Sequence, residues 1–122
     1  MNEKIKSFTD LNAWKEGHKL VLMIYKQTDS FPSKEKYSLI DQMRRAAVSV
    51  TSNIAEGFGR ITNKNKCQFY TMAQCSLTEL QNQLIIARDI RYLKNTDFQA
   101  IAKQTIIVSK LINGLKKIRN NT

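Results

Sequence analysis

The sequence predicts an all-α fold, an antiparallel up-down-up-down four-helix bundle occupying residues 1–122 as one domain. Three observations predict it. Apolar side chains recur at steps of three and four through four separate stretches. Four glycines and one proline in 122 residues are too few corners for a sandwich or barrel. The breaking residues Phe31-Pro32, Gly57-Phe58-Gly59 and Asn95-Thr96-Asp97 fall between the periodic stretches. A chain of this length can bury one continuous core.

The first helix is expected over residues 10–29. Leu11, Trp14, Val21 and Tyr25 form its apolar stripe, with His18 filling the gap, and Ala13, Gly17, Leu20 and Ile24 lie alongside. Pro32 ends it by pushing Phe31 out of the α region. The second helix is expected over residues 38–56, with Ser38 as N-cap and Asp41 favourable at the positive helix end. Leu39, Met43, Ala46, Val50 and Asn53 form one face, with Ile40, Ala47 and Ile54 beside it. Gly57-Phe58-Gly59 is expected to stop it through a left-handed glycine.

Thr62 is the expected N-cap of a third helix over residues 63–93, with Phe69, Ala73, Leu80, Leu84, Ala87 and Ile90 inward and Tyr70, Leu77 and Ile86 on the flanks. The fourth, over residues 96–118, keeps the cleanest stripe: Phe98, Ile101, Thr105, Val108, Ile112 and Leu115. A second stripe on it, Ala100, Ile107, Leu111 and Ile118, fits either a wide core face or a contact with another copy of the chain.

Twenty Lys and Arg stand against ten Asp and Glu, a formal charge of +10. Such an excess is the electrostatic footprint of a partner rich in negative charge, nucleic acid foremost. Short connections make successive helices antiparallel. The N-terminus, the corner between helices two and three, and the C-terminus then share one end of the bundle. That end gathers Lys4, Lys6, Arg60, Lys64, Lys66, Lys116, Lys117 and Arg119 against Glu3, Asp10 and Glu56. These cations read either as a phosphate-binding patch or as solvated charges at helix ends. Aromatic side chains suited to stacking are thin there, Phe58 being the obvious one.

No catalytic set emerges. His18, the only histidine, sits on the apolar stripe and reads as a hydrogen-bonded core residue. Paired Glu-x-x-His motifs for a di-iron site are missing, and two cysteines with one histidine do not make a zinc set. No enzyme activity, cofactor or metal is expected. Cys67 and Cys75, eight apart on one helix, lie about 12 Å apart, beyond disulfide reach. Free thiols, a polar start from Met1 to Asp10, and no long apolar run fit a cytoplasmic protein away from the membrane.

Leu39 through Arg60 carries a distinctive block: Gln42, Arg44-Arg45-Ala46-Ala47, Ser49, Ser52-Asn53-Ile54-Ala55-Glu56-Gly57 and Arg60. Around it stand Asp10-Leu11, Trp14, Ile24-Tyr25, Phe31-Pro32, Ser76-Leu77 and Glu79-Leu80 in order. Over roughly residues 8–118 the chain resembles the four-helix-bundle family encoded in intervening sequences of bacterial 23S rRNA genes. Thr51 and Cys75 depart from it, standing where proline and glycine are common in that family. The resemblance implies a ring-like homo-oligomer, a pentamer. It also implies kinship with the accessory variability determinant of diversity-generating retroelements, which binds a reverse transcriptase and nucleic acid. Carried to matching positions, it makes Arg44, Arg45 and Arg60 candidate contacts, although Arg44 or Arg45 could equally pair across a subunit interface.

The expected function is a non-enzymatic, basic, oligomeric binding module engaging RNA or a ribonucleoprotein through Arg44, Arg45, Arg60, Lys64, Lys66, Lys116, Lys117 and Arg119. The alternative is a protein–protein adaptor docking a partner such as a reverse transcriptase, without touching nucleic acid.

Overall fold

The structure, a computed structural model, describes the backbone of residues 4–120 and the side chains of residues 4–118. Four helices make up the fold: α1 (Asn12–Thr28), α2 (Leu39–Gly59), α3 (Asn63–Asp89) and α4 (Asn95–Asn120). No strand occurs among the described residues. Each helix packs on the helices before and after it in sequence, and α4 closes the square against α1. Leu20, Ile24, Met43, Val50, Ile54, Tyr70, Leu77, Leu80, Leu84, Val108 and Ile112 are shut off from solvent at its centre. Polar bonds between helices fix their register. Gln104 Nε2 donates to the Glu16 carbonyl at 2.9 Å, Gln81 Nε2 to Thr105 Oγ1 at 3.0 Å, and Gln74 Nε2 to the Ser109 carbonyl at 2.9 Å.

α1 starts two residues later than its periodicity predicts, because Asp10 is engaged elsewhere. Its carboxylate accepts the backbone N–H groups of Lys6 and Ser7, each at 3.0 Å, and closes a short 3-10 turn over Phe8–Asp10. The core face of α1 is Ala13, Gly17, Leu20, Ile24 and Thr28, the stripe read as secondary. Trp14 and Val21 are only partly buried, Tyr25 is 41% exposed, and His18 lies in solvent, not in the core. His18 stacks on the Trp14 ring at 4.8 Å, and Phe8 meets Trp14 edge-on at 5.5 Å. The wrong stripe looks more apolar only because its residues are larger. α1 approaches α2 so closely that a Cβ on Gly17 would stand 3.1 Å from Thr51 Cγ2, and small residues are what that approach requires.

The α1–α2 connection is closed by two charged side chains. Thr28 Oγ1 donates to the Ile24 carbonyl at 2.7 Å and accepts from Arg44 Nε at 2.9 Å. The Arg44 guanidinium also reaches Asp29 at 3.0 Å and lies 4.6 Å from the Tyr25 ring centre. It thereby complements the negative end of α1. Ser38 stands at the N-cap of α2, its carbonyl accepting the Gln42 N–H at 2.9 Å, but its hydroxyl caps no backbone N–H. It donates to the Glu35 carboxylate at 2.6 Å, and that carboxylate takes the Leu39 N–H at 3.4 Å in its place. An ionised oxygen is the stronger acceptor, so it displaces the hydroxyl. The other Glu35 oxygen accepts from Tyr92 at 3.1 Å, which ties this corner to the one between α3 and α4.

Two helix ends differ from expectation, and at the first, the end of α2, neither Gly57 nor Gly59 is left-handed. α2 runs through both to Gly59, and the Arg60 N–H turns back to the Gly57 carbonyl. Gly57 matters instead for what it lacks. A Cβ there would meet the Tyr70 ring at 2.7 and 2.9 Å and Phe69 Cβ at 3.1 Å. The left-handed position falls to Arg91, φ 69°, which ends α3 at Asp89 rather than at residue 93. Tyr92 N–H bonds the Ala87 carbonyl and Arg91 N–H the Arg88 carbonyl, a Schellman closure without glycine. Ile86 and Ile90, beyond the buried stripe, are consequently exposed. Thr62 does cap α3, accepting from the Asn65 N–H at 3.1 Å. In α4, Ile101, Thr105, Val108 and Ile112 are buried as predicted, while Ile107 and Ile118 stand exposed.

Gly57→Ala is expected to destabilise the fold by about 1–2 kcal/mol, overpacking outweighing the gain in helix propensity. Gly59→Ala, with no atom within 4 Å of the new methyl, should gain about 0.5 kcal/mol from helix propensity. Denaturant midpoints of the two variants should move in opposite directions. The Ser38 hydroxyl, with help from Tyr92 and the Leu39 N–H, holds the Glu35 carboxyl below its ordinary 4.5. A depressed folded value stabilises above the unfolded one and is lost as pH falls through it. Glu35→Gln should therefore cost stability at pH near 7, and the gap to wild type should close as pH drops through and below 4.5.

Candidate nucleic-acid interface

Antiparallel packing brings the start of α1, the end of α2, the start of α3 and the end of α4 to one end of the bundle. The α2–α3 corner is three residues long, Arg60 to Thr62, and its geometry follows from Gly57. Because the Tyr70 ring can press on α2 there, Phe69 and Lys66 are drawn against the last turn of the same helix. Arg60 lays its guanidinium over the Phe69 ring at 4.4 Å and pairs with Glu56 at 3.1 Å. Lys66 crosses back to α2: its ammonium donates to the Phe58 carbonyl at 2.6 Å and the Gly57 carbonyl at 3.4 Å, with the Phe58 ring centre 5.4 Å away. It thus supplies a donor to the Phe58 carbonyl at the helix end and a second one to the Gly57 carbonyl, which already accepts the Arg60 N–H.

Lys64 and Lys116, from different helices, line one shallow, open groove of about 950 Å³ together with Asn63, Cys67, Gln68, Phe69, Thr71 and Met72. Cys67 Sγ lies 3.8 Å from the Lys116 carbonyl, which joins the two helices at this point. Lys117, next in α4, is exposed. Lys64, Lys116 and Lys117 have no ion pair among the described residues. The described acids of this end, Glu56 and Asp10, are already engaged. Glu56 holds Arg60, and the backbone N–H groups of Lys6 and Ser7 hold the Asp10 carboxyl below its ordinary range. Among the described residues, Lys64, Lys116 and Lys117 are thus left at this end without an acidic partner.

The eight cations predicted as contacts therefore divide. Arg60, Lys64, Lys66, Lys116 and Lys117 meet at this end. Arg44 and Arg45 lie early in α2, toward the other end, where Arg44 closes α1 and Arg45 pairs with Asp41 at 2.9 Å. The side chain of Arg119, and Glu3, lie outside the described residues. Sequence reasoning missed Phe69, Gln68 and Met72. Phe69 had been placed inward, yet it is partly exposed beneath Arg60 and lines the groove. The signal was available: Tyr70, Ala73, Leu77, Leu80, Leu84 and Ala87 alone complete a regular inward stripe. Met72, 50% exposed, stands clear of that stripe. Among the described residues, no group of three His, Cys, Asp or Glu side chains is placed to hold a metal ion, and no helix is long and apolar enough to cross a membrane.

Among solved structures, the chain is similar to a protein of unknown function from the S23 ribosomal protein family of Bacteroides thetaiotaomicron. The two share 14% identity and a TM-score of 0.79 over 86% of this chain and 95% of that one, a likeness of fold. No curated protein matches the chain. Residues 9–114 match the family described as 23S rRNA-intervening sequence protein. A match over that span, together with the four-helix fold, makes the chain a member of the 23S rRNA-intervening sequence protein family.

Proposed function

We propose that the protein is a non-enzymatic, cytoplasmic binding module that engages RNA through the basic end of its bundle and works as a ring-like homo-oligomer. Lys64 is the observation that carries this reading. It stands in the first turn of α3, at the positive end of the helix dipole, where a cation is unfavourable and no acid shares the turn. Stability explains Lys66, which caps α2, and suits Lys116 and Lys117 near the negative end of α4. It does not explain Lys64, which also lines the same groove as Lys116 with no acid between them. Such a surface suits phosphates, each cation contacting backbone without reading sequence. Neither Cys67 nor Cys75 forms a disulfide, in keeping with a reducing compartment.

The oligomeric part of the proposal draws on two grooved faces on opposite sides of the square, one mixed and one apolar. On the α1–α2 side Phe8, Tyr25 and Val48 line grooves together with the charged side chains of Asp41, Arg44, Arg45, Glu56 and Arg60. Leu84, Ile85, Phe98, Ala102 and Ile106 line one on the α3–α4 side. Dissimilar faces that join copies side by side make a heterologous contact, which closes into a ring when the rotation permits. Every basic end then lies on one face of the ring, and multivalency raises avidity without new contacts. Light scattering should give a mass several times the 14.1 kDa protomer, five times if the ring is a pentamer, and Ile106→Asp should lower it. A monomer would contradict the ring.

Lys64→Ala/Lys116→Ala/Lys117→Ala should weaken binding of structured RNA about equally across sequences. It should also flatten the dependence of log affinity on log salt by about 2–3, one phosphate contact for each lysine. Lys66 is left in place because it caps α2. Filter binding across a potassium chloride series checks this, and an unchanged slope would remove these lysines from the interface.

A further inference from the structure

We propose that the groove at the basic end takes unpaired, single-stranded RNA rather than duplex. The inference rests on the RNA-binding reading above and goes further, to the form of RNA that the surface fits.

The groove combines two chemistries. Lys64 and Lys116 supply positive charge, while Phe69 and Met72 supply apolar surface between them. Met72, in the groove lining, is 50% exposed, and Ile61, outside that lining in the corner before α3, is 95% exposed. Neither side chain belongs to the buried core. Apolar groups standing in water beside unpaired ammonium groups gain most from a partner that offers flat apolar faces and negative charge together. A duplex offers phosphates and 2′-hydroxyls outside and keeps its base faces stacked within, so Ile61 and Met72 would gain nothing from it. A single strand offers both at once, its bases laid on apolar side chains and its phosphates reaching the flanking cations.

The Phe69 ring is already held on one side by the Arg60 guanidinium at 4.4 Å, and Glu56 fixes that guanidinium at 3.1 Å. One face of the ring is therefore already covered by a planar cation, and the groove side is left for a base. Gln68, exposed between Lys64 and Met72 on one row of α3, carries an amide that donates and accepts, as base edges do. An acidic peptide with apolar side chains is the competing occupant. It would use Ile61 and Met72 without any preference among nucleic acids.

The test compares a labelled oligouridine strand, alone and annealed to oligoadenosine, by fluorescence anisotropy at fixed salt. The strand should bind about tenfold more tightly than the duplex. Ile61→Gln/Met72→Gln should lose about tenfold on the strand, little on the duplex, and leave the salt dependence unchanged. Both side chains are exposed, so a thermal melt should match wild type. Equal or tighter binding of the duplex, or a double variant that binds the strand like wild type, overturns the inference and leaves the phosphate reading standing. Absence of binding to either RNA overturns both.

Discussion

The basic end of the bundle depends on a side chain that is missing. Without a Cβ at residue 57, the Tyr70 ring packs onto the last turns of α2, where an added methyl would stand 2.7 Å from it. That approach lets α3 begin only three residues after α2 ends, and it brings Phe69 and Lys66 against the helix they have just left. Arg60 then stacks on Phe69, and Lys66 donates to the carbonyls of Gly57 and Phe58. The remaining cations, Lys64, Lys116 and Lys117, are displayed around a corner whose own hydrogen bonds are satisfied. A corner of this kind holds like charges together because packing elsewhere supplies the stability that their repulsion removes.

The opposite end is organised by the same economy of polar groups and has a different consequence. Arg44 closes α1 through Thr28 and Asp29, and Glu35 joins the α1–α2 connection to Tyr92. There Arg45 pairs with Asp41 and Arg88 with Asp89, while Lys26, Lys34, Lys36, Arg91 and Lys94 are exposed without an ion pair among the described residues. The two ends thus differ less in the number of cations than in the acids, Asp29, Glu35, Asp41, Asp89 and Asp97, that stand among them at this end. The distinction between a structural and an available cation is one of geometry: Arg44 and Lys66 touch carbonyl oxygens at helix ends, whereas Lys64 sits at the helix end where no such carbonyl exists.

The four helices, their antiparallel order and the core of α4 were legible because periodicity reports burial directly. What periodicity could not settle was which of two adjacent stripes on α1 faces inward. Trp14, Val21 and Tyr25 outweigh Ala13 and Gly17 in hydrophobicity, but close approach of α1 and α2 selects the small residues, and that distance is a tertiary fact. Helix ends were misplaced wherever a local rule had a stronger competitor. Arg91 took the conformation expected of glycine, and Gly57 served contact rather than a turn. The basic cluster itself was readable from sequence order and antiparallel topology. The pairing state of each cation was not, since Lys66 to Phe58 and Arg60 to Phe69 are contacts that only the folded corner creates.

The most direct measurement of the central claim is lysine-acetylation footprinting by mass spectrometry, with and without bound RNA, across all lysines of the folded protein. RNA should protect Lys64, Lys116 and Lys117, and leave Lys19 and Lys26 on α1 as reactive as before. Protection spread evenly over the surface, or confined to lysines away from the α2–α3 corner, would contradict the account.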